Sequence, residues 1–223
     1  VPAGSLGYWQ DRLKARGVST QAVFPRFGED VLRFADPDGM IVELIDSGSA
    51  ESGPAVQGFH SVSAALAETE GTARLLKDVF GYDSVQESGN RLRLSSPDAS
   101  AFGSRIDLVR APDAPPGRAG AGTVHHLAFR VPDDEAQHAW RERLVRLGYP
   151  VSPIMDRSYF HSIYFREPGG ILFEIATDNP GFAADEPLAE LGNKLCLPSW
   201  MERSRSRIET LLPPLHLSTA ASV

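Results

Sequence analysis

The chain is poor in cysteine. Cys196 is the single one among 223 residues, so no intrachain disulfide can form, and this usage fits a reducing cytoplasm. Long apolar runs are missing too: nothing approaches the roughly 18 residues that a bilayer-spanning helix needs, and no membrane partner is expected. Positive charge is in short supply. There are 22 Lys and Arg against 29 Asp and Glu, a net charge of −7, with no basic run. That balance argues against a nucleic-acid partner, which would require a cationic face to displace counterions. Gly-x-Ser-x-Gly, P-loop and Gly-x-Gly-x-x-Gly motifs are absent, which removes the commonest hydrolase and nucleotide-binding readings. The first residue is Val1, not methionine, and residues 1–10 have neither the basic nor the apolar segment of a signal peptide.

What is present is ordinary for a globular protein, 42% hydrophobic and 23% charged, enough for one or two domains with a sizeable core. Self-similarity organises it. The segment Arg33-Phe34-Ala35-Asp36-Pro37-Asp38-Gly39-Met40-Ile41-Val42-Glu43-Leu44 lies without a gap over Tyr164-Phe165-Arg166-Glu167-Pro168-Gly169-Gly170-Ile171-Leu172-Phe173-Glu174-Ile175, at an offset of 131. The same offset puts Trp9 on Trp140, Arg12-Leu13 on Arg143-Leu144 and Gly17 on Gly148. The later unit opens with residues 124–131, an apolar, β-prone run whose counterpart would precede Val1. The chain is therefore expected to be the C-terminal part of a longer protein.

The later unit reads as β-α-β-β-β. A strand at 124–131 leads to an N-cap at Asp133 or Asp134, then a helix with Ala136, Trp140, Leu144 and Leu147 at helical spacing, closed by Gly148. Strand-like segments follow at 150–154, 161–166 and 171–176, the last after a Glu-Pro-Gly-Gly turn. A diverged copy between the repeats has a strand at 58–66, a helix at 69–80, and strands at 91–94 and 105–109. Residues 47–54 and 111–122 read as linkers, and 186–191 and 199–212 as helices of a tail.

Glu174 stands out because it sits in a run that is apolar on both strand phases, where an ionised carboxylate is costly unless it is paired or binds a metal. Glu43 holds the same repeat position. His125 and His126 open the unit that Glu174 closes. By alternation His125 shares the apolar phase of Leu127, Phe129 and Val131, and His126 the more polar phase of Ala128 and Arg130, which makes His126 the better ligand. Two imidazoles and a carboxylate form the facial triad of non-haem Fe(II) oxygenases. His60 is a third candidate, but laying 58–62 on 123–127 puts His60 on His125 and Ser61 on His126, so His60 misses the ligand position. His161 suits an edge or surface role, His138 a solvated helix face, and His216 the tail. Cys196 reads as a structural thiol.

Paired units with an opening His and a closing Glu resemble the vicinal oxygen chelate superfamily, which includes glyoxalase I, bleomycin-resistance proteins and extradiol dioxygenases. Three segments carry a narrower resemblance. They are His125 to Pro132 (HHLAFRVP), Ser152-Pro153-Ile154-Met155-Asp156-Arg157, and Tyr164 to Asp178 (YFREPGGILFEIATD), and they look like the hydroquinone-type ring-cleaving dioxygenases. The resemblance covers essentially the whole chain. It implies an α+β fold of repeated β-α-β-β-β units that form half-barrel mixed sheets with helices outside. On that pattern 1–47 is a second unit lacking its first strand, 48–112 a third, 123–178 a fourth carrying the metal ligands, and 179–223 a helical tail. The resemblance further implies Fe(II), with Mn(II) and Zn(II) as alternatives, held by His126 and Glu174 and by a His from a first unit. Arg157, Tyr164 and His125 then orient substrate and handle protons, although His125 in that role conflicts with its strand phase. The implied partners are a small aromatic substrate and O₂, with self-association to a homo-oligomer compatible with exposed apolar surface. Residues 1–223 alone are expected to bind Fe(II) weakly. A glyoxalase-type metal-dependent lyase or isomerase, or a metal-free module that sequesters an aromatic drug, are the competing readings.

Overall fold

The computed structural model describes residues 1–48, 53–100, 102–115 and 117–213. In chain order these form α1 (Leu6–Ala15), β1 (Phe24–Arg26), β2 (Glu29–Ala35) and β3 (Ile41–Ile45), then β4 (Ser61–Leu66), α2 (Glu70–Asp78), β5 (Asp83–Ser88), β6 (Arg91–Ser95) and β7 (Arg105–Arg110). The third set is β8 (Leu127–Val131), α3 (Asp134–Arg146), β9 (Met155–Asp156), β10 (Phe160–Arg166) and β11 (Leu172–Pro180), followed by 3₁₀ turns and α4 (Arg205–Leu211). The architecture is α+β, with unclosed sheets ordered β1-β2-β3, β4-β7-β6-β5 and β8-β11-β10-β9. In the two four-stranded sheets the first strand runs parallel to the last and the remaining pairs are antiparallel. A parallel pair cannot be joined by a hairpin, so a helix and two further strands lie between its members.

Local sequence explains where the helices stop. Gly17, Gly81 and Gly148 follow α1, α2 and α3 with φ of +74°, +76° and +88°. A residue without a Cβ enters this left-handed region at little cost, and it ends a helix. The Asp133 carboxylate accepts from the Ala136 backbone N at 2.9 Å and caps α3.

One core joins the second and third sheets. Leu75, Leu76, Leu94 and Leu108 pack with Leu144, Ile163, Phe165 and Phe173. The Phe80 ring bridges them, with centroids 4.5 Å from Phe129 and 4.8 Å from Trp140. Val1, Leu6 and Leu32, with Trp9, Leu13 and Leu44, make a smaller core under the first sheet. Val1 donates to the Ile45 carbonyl and accepts from the Ser47 backbone N, both at 3.0 Å, at the place where Val131 pairs with Thr177.

Several elements differ from the sequence expectation. β4 and β8 begin at Ser61 and Leu127, because their ladders start only at Arg105 and Phe173. His60, His125 and His126 therefore precede the strands, and strict alternation does not bind the His pair. The segment 150–154 forms no strand: Pro150 and Pro153 have no N–H for a ladder, and pairing on that side reduces to Ser152 beside Tyr164 and then β9. β5 was missed because it is exposed on both faces and shows no alternation. In the tail, 186–191 holds only a 3₁₀ turn at Leu188–Glu190, since buried Glu186 accepts from the backbone N of Gly192 and Lys194 and anchors a loop. Residues 199–212 divide into a 3₁₀ segment, Ser199–Ser204, and α4. His216 lies outside the described residues. Among those described, no helix is long and apolar enough to cross a membrane.

Candidate metal centre

Each sheet places one carboxylate at the same point of the last of its strands in the chain, with a fixed cross-strand neighbour. The pairs are Glu43 with Arg33, Asp107 with Arg93, and Glu174 with Tyr164. The first two carboxylates are neutralised. Glu43 accepts from Arg26 Nη1 at 3.1 Å, from Arg26 Nη2, and from Arg33 Nε and Nη2 at 2.8 and 2.6 Å. Burial alone would raise its pKa, but the hydrogen bonds from Arg26 and Arg33 outweigh it and hold the carboxyl below its usual range. Asp107, fully buried, accepts from Arg93 Nε at 2.7 Å and Nη2 at 3.1 Å, and from Arg91 Nη1 at 3.0 Å.

The third carboxylate has no arginine on it. The Glu174 side chain is 4% exposed, and Oε1 accepts from the Ser162 hydroxyl and from the Tyr164 hydroxyl at 2.8 Å. Its Oε2 faces His126 Nε2 at 2.7 Å, with the imidazole 34% exposed. The register fixes this meeting: Glu174 pairs with Tyr164 on β10 and with Ala128 on β8, two residues past His126. His125 and His126 approach through their Nδ1 atoms at 2.8 Å. Arg157 Nη2 donates to the Tyr164 hydroxyl at 3.3 Å, and its guanidinium carbon lies 5.4 Å from the Tyr164 ring centroid. His126, Glu174, His125, Tyr164 and Arg157 thus form one connected constellation. The Ser162 contribution escaped the sequence reading. So did the pairing of Glu43, although the 131-residue offset already sets Arg26 over Arg157 and Arg33 over Tyr164.

His60 is not part of that constellation. Its Nε2 lies 2.8 Å from Glu29 Oε1 and 3.1 Å from Arg105 Nη1. His161 pairs with Asp134 at 2.6 Å on the other side of the sheet from Tyr164, and His138 is exposed. A cavity of about 350 Å³ adjoins the site through Arg157 and is lined by Asp156, Tyr159, Asp185, Cys196 and Trp200 among others. Burial and the nearby Asp185 and Glu186 push the Cys196 thiol up, which opposes a nucleophilic role. The Tyr159 hydroxyl, donating to Asp185, is pushed up to about 12.

A family model for the Glyoxalase/Bleomycin resistance protein/Dioxygenase superfamily matches residues 59–175. The chain is 42% identical over 225 residues to the Bacillus subtilis protein named "Putative ring-cleaving dioxygenase MhqE", a match taking in 96% of this chain and 73% of the relative. It is 34% identical over 210 residues to the chlorohydroquinone/hydroquinone 1,2-dioxygenase of Sphingobium indicum, covering 87% of this chain and 65% of that protein. A crystal structure of a "putative dioxygenase" from Bacillus subtilis superposes with a TM-score of 0.87 at 39% identity, over 97% of this chain and 72% of that one.

Proposed function

The chain belongs to the glyoxalase/bleomycin resistance/dioxygenase superfamily, and on that premise we propose that it serves a non-haem Fe(II)-dependent extradiol-type dioxygenase that cleaves hydroquinone- or catechol-like rings. One observation carries this reading. Of three carboxylates at equivalent positions, two are countered by arginines, and only Glu174 is buried with neutral hydroxyl donors and an imidazole. A buried carboxylate in that setting calls for a cation. One imidazole nitrogen and one carboxylate oxygen, converging on the same point, suit Fe(II), with Mn(II) and Zn(II) as alternatives.

His126 Nε2 and Glu174 Oε2 would hold the metal, which supplies Lewis acidity and brings the ring hydroxyl and O₂ together. The surrounding residues set the site up. With His126 Nε2 free of its proton, Nδ1 carries it and donates to His125 Nδ1, so His125 fixes the tautomer and the ring orientation. Ser162 and Tyr164 hold the Glu174 carboxylate in place. Arg157 lines the cavity and would offer a cation to an oxyanion of a ring bound there. His125 is exposed and can pass a proton to solvent.

A facial triad needs a third donor, and among the described residues no further His, Cys, Asp or Glu converges with His126 and Glu174. The relatives named above are longer than this chain, and we read the third donor as lying outside residues 1–223. Anaerobic Fe(II) titration of residues 1–223, followed by oxygen uptake with hydroquinone and catechol, tests the proposal. Weak binding with little uptake, both restored in a longer protein, is the expected result. Tight one-to-one binding with uptake would refute the external donor, and thiol-adduct turnover without oxygen uptake would refute the dioxygenase.

A further inference from the structure

Two parts of the chain bound the cavity beside the metal centre. The turn between β9 and β10 brings Arg157, Ser158 and Tyr159, and the tail after β11 brings Asp185 and residues 196–200. The tail is held there at two points. Buried Glu186 accepts from the backbone N of Gly192 and Lys194 at 2.9 and 3.1 Å, and the Tyr159 hydroxyl donates to Asp185 Oδ2 at 2.9 Å. The Tyr159 ring centroid lies 5.4 Å from that of Phe182, which steadies the phenol.

The cavity carries opposite charges that are not paired with each other. Arg157 Nη2 donates to the Tyr164 hydroxyl at 3.3 Å, which puts the guanidinium two hydrogen bonds from the Glu174 carboxylate. On the tail side, a carboxylate oxygen of Asp185, one of Glu186 and the Cys196 sulfur lie within 4.8 Å of one another. Among the described residues no salt bridge joins Arg157 to Asp185. The Arg157 side therefore attracts an oxyanion and the Asp185 side a hydrogen-bond donor, with Tyr159 and Trp200 adding aromatic surface. A volume of about 350 Å³ is at the small end of the range for ligand pockets, roughly 300–1,000 Å³, and suits a single ring.

We propose that Asp185 is a specificity residue: it accepts a hydrogen bond from a ring hydroxyl para to the one that meets the metal, so the site takes hydroquinones in preference to catechols. The inference rests on the metal centre as read above. A para-diol carries its second hydroxyl at the far end of the ring, toward the tail. Catechol keeps both hydroxyls at the metal end and brings Asp185 no donor.

Ligand-observed NMR titration of residues 1–223, anaerobic and in EDTA, reads this preference without metal or turnover. Hydroquinone is expected to bind about tenfold tighter than phenol or catechol, the scale of one hydrogen bond to a charged group. Asp185→Asn keeps the shape of an exposed side chain and removes its charge, and it should bring hydroquinone to within about twofold of phenol. Should that variant not fold, 4-methoxyphenol carries the test in the wild type: its para oxygen has no proton to donate, and it should bind about tenfold more weakly than hydroquinone. Equal affinities in the wild type, or a preference undiminished in the folded variant, would overturn the proposal. Oxygen uptake is a separate readout, taken in a protein that includes the proposed third donor. Preference without uptake refutes the dioxygenase, and uptake without preference refutes the role of Asp185.

Discussion

Glu174 and Glu43 occupy one repeat position and meet opposite chemistry. Where Glu43 has Arg33 across the strand, Glu174 has Tyr164, and where Arg26 reaches Glu43 directly, Arg157 stops at the Tyr164 hydroxyl. With tyrosine in the arginine's place, Glu174 lacks the covalently attached cation that Glu43 has, and on the proposed reading an exchangeable cation takes that role. It also makes Tyr164 the hinge of the arrangement, since its hydroxyl donates to Glu174 and accepts from Arg157. Tyr164→Phe keeps the ring and removes both bonds. Loss of one such supporting hydrogen bond should cost about 10- to 100-fold in metal affinity, measured by anaerobic titration calorimetry. Unchanged affinity would remove Tyr164 from the site. The candidate pair itself could be picked out of the sequence because a glutamate inside Ile171-Leu172-Phe173-Glu174-Ile175 is anomalous. Ser162 could not, since a serine on a strand carries no such anomaly until a register places it beside a carboxylate.

At the scale of elements, the periodic segments with strong ends were readable. The helix α3 follows from Asp133 before it, apolar residues at helical spacing, and Gly148 after it. Asp133→Ala removes the hydrogen bond to the Ala136 backbone N and should destabilise the protein by about 0.5–2 kcal/mol in urea unfolding. A change within error would mean that the first turn is held by packing alone. What could not be read was anything set by pairing and not by pattern. The edge strand β5 is exposed along its whole length and has no alternation to betray it. The His pair was assigned to strand phases that do not apply, because the β8 ladder begins one residue after it, at Leu127. That late start also removes the conflict over His125, which reaches His126 from irregular backbone.

For the whole molecule, the charged groups of the first two sheets set the response to acid. Glu43 and Glu29 titrate below the ordinary 4.5: burial, the largest single influence, raises each, and the combined hydrogen bonds and charges of Arg26 and Arg33 at Glu43, and of Arg93 and His60 at Glu29, overcome it. Each contributes stability above the unfolded value that is lost as pH falls through the folded one. The pKa of His60 is also lowered, from 6.5, so the unfolded chain takes up its proton first. In both windows the unfolded state binds more protons, and stability therefore rises with pH. Tm should decline as pH drops below 6.5 and again through the carboxylate range, and His60→Gln should flatten the upper part of that decline. A Tm independent of pH across the imidazole range would contradict this ordering.

The central claim is that Glu174, freed of arginine, is a metal ligand. Its most direct test is divalent metal stoichiometry and hydroquinone-dependent oxygen uptake in a protein that includes the proposed third donor, wild type beside Glu174→Gln. The account predicts one Fe(II) per chain with uptake in the wild type, and loss of both in the folded variant. Iron content and uptake unchanged by Glu174→Gln would contradict it.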